Sequence, residues 1–214
     1  MPSRYPDRRA AGQVLAAHLG PYAQLPGALV LALPRGGVPV AHEVAGRLGL
    51  PFEVFIVRKL GMPGHEELAM GAIASGGLRV LNRQVIDDLG LSQEVVESVT
   101  TAESAELHRR EQLYRAHRPP PDPRGRIVIL VDDGLATGST MRAAVAAVRE
   151  HGAGRVIVAV PVAPPETCDV LAHLADEVIC PLRPHDFEAV GRWYEDFAQT
   201  TDEEVSALLE DAGH

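Results

Sequence analysis

Residues 127–140 read Ile-Val-Ile-Leu-Val-Asp-Asp-Gly-Leu-Ala-Thr-Gly-Ser-Thr. Ile127–Val131 is an apolar, β-branched run of the kind that forms a buried strand. Two adjacent acids, Asp132 and Asp133, end it. Small and hydroxylated residues follow, and a helical pattern runs from Met141 to Arg149. Strand, acid pair, small-residue loop and helix start make a phosphate-binding layout, because backbone N–H groups of the loop and the first helical turn can face an anion. Thr137, Ser139 and Thr140 add hydroxyl donors. The acids are poor neighbours for phosphate but good acceptors for sugar hydroxyls, so one ligand that satisfies both halves is a ribose phosphate. The competing reading is a plain β–α turn with helix-capping Ser and Thr. Capping explains one hydroxyl and leaves the paired acids and the rest of the loop without a reason.

Outward from this run, strands and helices alternate. Residues 6–19 suit an amphipathic helix, Ala28–Leu33 a strand, Val38–Leu48 a helix and Phe52–Val57 a second strand. Leu68–Ser75, Gly76-Gly77 and Leu78–Leu81 read as a hairpin with a Gly-Gly turn. Ser92–His117 reads as a long polar helix capped by Ser92. Arg118–Arg124 is a short Pro-rich break. Arg155–Val162 and Glu177–Cys180 are further strands around a helix near Glu166–Leu174, and Thr201–Glu210 is a last helix. This alternation predicts an α/β fold with a mainly parallel central sheet flanked by helices. The chain is expected to be one domain over 1–214, with a core near 28–180, a hairpin and long-helix insertion near 61–118, and a C-terminal aromatic segment near 181–214. Ligands of such sheets bind beyond the carboxyl ends of the strands. Segments 34–37, 58–67 and 132–140 are each expected after a strand end, which points to one shared site.

Composition narrows the partners. A chain of 214 residues buries roughly 70% of its unfolded surface and needs no metal or disulfide staple. The net charge of −9 and the lack of a basic run disfavour DNA, which is bound by neutralising phosphates. Cys168 and Cys180 show no metal spacing, and reduced, buried thiols in the cytoplasm are expected. Met1–Ala10 has no apolar signal core, and no apolar run nears the ~20 residues of a membrane span. Of 20 cationic side chains only Lys59 is a lysine, which marks a place where a compact ammonium suits better than a planar fork.

The string from Asp132 to Thr140 resembles the phosphoribosyl pyrophosphate (PRPP) motif of the type I phosphoribosyltransferases. The resemblance implies that Asp132 and Asp133 hold the ribose 2′- and 3′-hydroxyls. It implies that Ala136, Thr137, Gly138, Ser139 and Thr140 wrap the 5′-phosphate. It places a pyrophosphate loop at Pro34-Arg35-Gly36-Gly37, with a cis peptide between Pro34 and Arg35. It places a diphosphate-contacting cation at Arg58 or Lys59, whose opposite pleat directions let only one enter the site; Lys59 is the stronger choice and Arg58 the second. Mg²⁺ is the implied cofactor, held mainly by substrate oxygens and water with support from Asp132 and Asp133. A homodimer is the family expectation. The chain is most similar to a bacterial group of phosphoribosyltransferase-like proteins of open acceptor. Ala136 stands where hypoxanthine-guanine enzymes carry an aspartate, so that purine-side proton handling is not expected here.

Three further features stay open between function and structure. Gly61-Met62-Pro63-Gly64-His65-Glu66-Glu67 suits a mobile loop over the site, or an ordinary exposed loop. The long helix carries Arg109, Arg110 and Arg115 with acids at pairing distance (Glu106 with Arg110, Glu111 with Arg115), which suits a solvated face or a cation reaching a site. Phe187, Trp193, Tyr194 and Phe197 cluster in a chain that is only 4% aromatic, so one ring, with Phe187 favoured, could stack on a base while others pin the tail. His185 and Asp186 lie beside it as candidate base-edge contacts. The function expected is Mg²⁺-dependent transfer of the 5-phosphoribosyl group from PRPP to a nitrogenous base or amine, with Arg35 and Lys59 stabilising the departing pyrophosphate. The alternative is a non-catalytic reader of PRPP or a nucleotide. A phosphoacceptor receiver domain fits less well, because its acids stand near the start of the fold.

Overall fold

The computed structural model describes residues 4–115 and 119–211, and the side chains of residues 65–68 lie outside that description. Among the described residues the elements run α1 (Arg8–His18), β1 (Ala28–Ala32), α2 (Gly37–Leu48), β2 (Phe52–Val54), β3 (Val57–Met62), β4 (His65–Ala74), β5 (Leu78–Leu81), α3 (Arg83–Asp88) and α4 (Gln93–Arg115). They continue with β6 (Ile127–Val131), α5 (Ser139–Glu150), β7 (Arg155–Ala159), α6 (Pro165–Ala172), β8 (Glu177–Ile179) and α7 (Asp202–Asp211). No helix among the described residues is long and apolar enough to cross a membrane.

Five strands form a parallel sheet in the order β2-β1-β6-β7-β8. The central strands β1 and β6 are uniformly apolar, as strands buried on both faces must be. Their side chains feed two hydrophobic layers, Val30 and Ile129 to one side, Leu31 and Leu130 to the other. Truncating the fully buried Ile129 to alanine would cost about 2–5 kcal/mol. Strand β1 pairs with β2 on one side and β6 on the other, so the winding reverses between β1 and β6. That reversal opens a crevice beyond their carboxyl ends, where segments 34–37 and 132–140 emerge.

A second, antiparallel sheet has the order β3-β4-β5. Here the structure departs from the sequence reading. Phe52–Val57 is not one strand. The chain leaves the parallel sheet at Phe55, whose N–H still bonds Ala32 O, and joins the second sheet at Ile56, whose N–H bonds Ser75 Oγ. Both side chains are fully buried, which pins the crossing. Segment 58–67 therefore does not follow a parallel strand. It is β3, a tight turn with Gly64 at φ +81°, and the start of β4, not an open loop. The side chains of His65, Glu66 and Glu67 lie outside the described residues. The Gly76-Gly77 hairpin is present, but Ser75 belongs to the turn and not to the strand: Ala74 pairs with Leu78 across a three-residue connection with both glycines at positive φ. The short α3 was not expected from the sequence; Asn82 caps it by accepting from the Val85 N–H.

The long helix α4 begins as expected, with Ser92 Oγ accepting from the Val95 N–H. Glu106 pairs with Arg110 at 2.7 Å and also with Arg109. Glu111 does not pair with Arg115; it accepts the Gly76 N–H of the hairpin, and buried Arg115 lies 3.6 Å from Glu53 on the edge strand β2. The tail after β8 returns to the start of the chain. Tyr5 N–H donates to Trp193 O and Glu195 N–H donates to Tyr5 O, both at 2.8 Å. Tyr5, Ala11, Val162 and Tyr194 form a small core there, with Phe187, Val190 and Trp193 packed against it.

Candidate active site

The crevice is built by close backbone approach. A Cβ on Gly36 would lie 2.0 Å from Asp133 Oδ2, and one on Gly37 would lie 2.8 Å from Val131 O. These glycines let the turn after β1 press against the end of β6. The Pro34–Arg35 peptide is cis, as expected. Asp133 is also held by Arg8, whose Nε lies 3.3 Å from the same Gly36 Cβ position. Arg8 of α1 donates through Nε to Asp133 Oδ2 at 2.8 Å, through Nη1 to Ala198 O at 2.6 Å, and lies 4.0 Å above the Phe197 ring. The Tyr194 hydroxyl donates to Asp133 O, and Val190 seats against Gly134. Asp132 Oδ1 accepts the Asp133 N–H at 2.9 Å.

Burial and then the neighbouring Asp133 charge hold the Asp132 carboxyl well above the usual carboxylate range. Burial also raises Asp133, and Arg8 opposes that rise. Among the described residues, Asp132 Oδ2 and Asp133 Oδ1 have no hydrogen-bond partner. Two part-buried carboxylates with one free oxygen each suit sugar hydroxyls, or an ion such as Mg²⁺ that keeps most of its waters; they do not make a closed protein cage. No cluster of three or more metal-ligating side chains occurs among the described residues.

The loop after the acids turns into α5 through Gly138, at φ +67°. Its Cβ would lie 2.8 Å from Thr167 Cγ2, and Thr167 Oγ1 donates to Ala136 O at 2.7 Å, so the segment after β7 braces the loop. Thr137 Oγ1 accepts the Ser139 N–H at 3.4 Å, but helix α5 has no side-chain cap from its N-cap Gly138. Its first-turn amides, with Thr137, Ser139 and Thr140, line a cavity of about 140 Å³, and that is where an anion would find donors.

A larger groove of about 670 Å³ runs between α5 and the second sheet. Lys59, Gly71, Asn82, Thr137, Ser139 and Arg142 line it. Lys59 thus shares a groove with the phosphate loop. Arg58, one pleat along β3, points the other way and pairs with Glu103 of α4 at 2.6 Å. Arg35 turns away from the acids towards α4 and α7, 3.8 Å from Asp202. Phe187 stacks on Trp193 with ring centroids 6.4 Å apart and an 18° interplanar angle, while His185 and Asp186 are exposed. Sequence reasoning missed Arg8, the Tyr194 hydroxyl as a donor to the backbone of the acid loop, Asn82 and Arg142. Arg142 could have been found, being one turn into the helix after the loop. Arg8 could not, standing 125 residues from its acid.

Comparison with known proteins agrees with this geometry. Residues 23–195 match the family model described as "Phosphoribosyl transferase domain". Two Mycobacterium tuberculosis proteins, from strains CDC 1551 and H37Rv, each named "Putative phosphoribosyl transferase", are 46% identical over 210 residues. The match takes in 97% of this chain and 47% of theirs, so the chain spans about half the length of these relatives. The crystal structure of TT1426 from Thermus thermophilus is similar at 46% identity and a TM-score of 0.88, covering 97% of this chain and 98% of that one.

Proposed function

The chain belongs to the phosphoribosyl transferase domain family, and from that premise we propose that it moves the 5-phosphoribosyl group of PRPP onto a nitrogen acceptor and releases pyrophosphate. One observation carries this reading. The acid pair, the uncapped start of α5 and the glycines of the 34–37 turn meet at the winding reversal between β1 and β6. The ribose hydroxyls would donate to Asp132 Oδ2 and Asp133 Oδ1, and the 5′-phosphate would sit on the amides and hydroxyls of residues 136–140. In the reaction the anomeric C–O bond to diphosphate breaks with its electron pair, and a C–N bond forms from the acceptor's lone pair. Positioning and charge stabilisation do most of the work. Lys59 neutralises departing charge, and the backbone of 34–37 presents donors to it. Mg²⁺, when bound, would screen diphosphate oxygens, with Asp132 and Asp133 holding it through its waters. The acceptor, a base or amine, would enter over the tail at 185–197, which Val190 seats against Gly134.

A second reading, a PRPP or nucleotide reader without turnover, has one observation in its favour: Asp133 Oδ2 is already satisfied by Arg8. The experiment that separates them is pyrophosphate release from PRPP with Mg²⁺ across purines, pyrimidines and small amines, alongside calorimetric PRPP binding. Release with one acceptor establishes the transferase. Saturable PRPP binding with no release across the panel sinks it in favour of the reader.

A further inference from the structure

Two sulfurs meet at the outer edge of the parallel sheet. Cys180 directly follows β8, which pairs with β7 alone and so is an edge strand. Cys168 lies on α6, the helix that links those two strands. Both belong to one hydrophobic layer, and their thiols stand within hydrogen-bonding reach of each other. Cys180 Sγ also donates to Leu182 O at 3.2 Å, the carbonyl that accepts the Ala163 N–H just ahead of α6. The chain has two cysteines, both free, and the transfer reaction uses neither. A buried thiol packs as a small hydrophobe, a role that alanine or valine fills; packing gives no reason for the chain's two thiols to face each other.

We propose that Cys168 and Cys180 are a redox modification site, joined by a hydroperoxide into a reversible disulfide that ties α6 to the sheet edge. The partners are unequal. The hydrogen bond from Cys180, helped by the Arg183 guanidinium, lowers the Cys168 thiol to about 7, while the same bond and then burial push the Cys180 thiol up. Cys168 is therefore the attacking thiolate and Cys180 the resolving thiol. The Cys168 sulfur takes one peroxide oxygen, the O–O bond breaks, and the other oxygen leaves with a proton as water or alcohol. The Cys180 sulfur then displaces hydroxide from the Cys168 sulfenic acid, and the Cys180 proton departs with it as water. Two thiols lose two electrons and two protons, and one hydroperoxide is reduced. The oxidant has to be small, because Cys168 is 1% exposed and Cys180 8%. The bond has a consequence at the phosphate loop. Thr167, next to Cys168, donates to Ala136 O at 2.7 Å, and its Cγ2 fills the space where a Gly138 Cβ would lie. Joining the sulfurs draws the first turn of α6 towards β8 and Thr167 off Ala136, so oxidation loosens residues 136–140. The modification is independent of the transferase reading; its effect on affinity rests on the ribose-phosphate reading of that loop.

The full chain is treated with hydrogen peroxide and its intact mass is measured under non-reducing conditions. The mass should fall by about 2 Da, two hydrogens, and return with a dithiol reductant. Cys180→Ala should instead gain about 16 Da or more, as Cys168 climbs to oxygen acids without a resolving partner. A wild type that keeps both thiols, or only gains oxygen, overturns the site. Amide hydrogen exchange over 136–140 should quicken about tenfold on oxidation, and reduced Thr167→Val should show the same quickening; exchange unchanged by oxidation overturns the link to the loop. Calorimetry with ribose 5-phosphate should show affinity about fivefold weaker after oxidation, and no peroxide effect in C168A/C180A. A chain that forms the disulfide and quickens exchange, yet binds ribose 5-phosphate in neither state, keeps this site and ends the ribose-phosphate reading.

Discussion

The crevice between β1 and β6 and the groove beside β3 hold their functional side chains by different means. At the crevice, two chain segments touch through glycines: Asp133 is wedged against Gly36 and bonded by Arg8, and Asp132 packs against Gly37. At the groove, Lys59 is aimed by strand pleat alone: its neighbour Arg58 takes the opposite face and Glu103. The first arrangement cannot change a residue without moving its neighbours. The second can change its side chains while the strand stays put. Stability and ligand binding should therefore fall together at the crevice and separately at the groove.

The strongest way to break that contrast is Gly36→Ala. The new methyl would collide with Asp133, so PRPP affinity should drop by about a hundredfold or more while overpacking strain costs the fold about 1–3 kcal/mol of stability. Calorimetry with thermal melts would show it; a variant with normal affinity would mean the acid is not wedged. Next comes Asp133→Asn, which should weaken PRPP binding about tenfold or more by turning an acceptor charge into an amide. Glu111→Gln, which touches only the hairpin Gly76 N–H, should change it by less than about twofold; equal small effects would remove the acid from the site. On the groove side, Lys59→Arg should lower turnover severalfold with a melting midpoint shifted by less than about 0.5 kcal/mol equivalent. Wild-type kinetics would make Lys59 an ordinary surface cation.

The smallest effect sharpens the contrast by pH. Tyr5, beside the crevice, is pushed up to about 12 by burial first. Tyr114, on the α4 side, is also raised to about 12, by burial and then its bond to Asp202. A phenol whose folded pKa exceeds its unfolded value, ~10, contributes stability that is whole below that value and is lost as pH rises through the folded one. Denaturant midpoints should thus hold to about pH 10 and then decline towards pH 12, the pKa of both phenols. Tyr5→Phe and Tyr114→Phe should each flatten part of that decline; if neither does, the alkaline loss comes from other groups.

What could be read from the sequence follows the same division. The β6 motif, the mainly parallel sheet and the Gly-Gly hairpin were legible because each follows from a local pattern, an apolar run, the alternation of strands with helices or a pair of residues with one backbone use. The break at Phe55–Ile56 was not, because both residues are apolar and suit one strand as well as two; what splits them is where their amides find partners, Ala32 and Ser75. Gly36 and Gly37 were legible as part of a loop, but not what their missing side chains make room for, the acids Asp133 and Asp132. Arg8 had no local signal at all, since an arginine on an amphipathic helix reads as solvated until the tail with Phe197 and Ala198 closes over it.

The bridge between Tyr5 and Tyr194 makes the polypeptide mechanically a loop although it is covalently a line. Tension applied between those two points would load two backbone hydrogen bonds, Tyr5 to Trp193 and Glu195 to Tyr5, before it reached any strand of the parallel sheet. The first thing to give would be the lever that carries Arg8. Tyr5 stands just ahead of the helix that bears Arg8, so the clasp that takes the load first is the one that keeps the counter-charge of Asp133 in place.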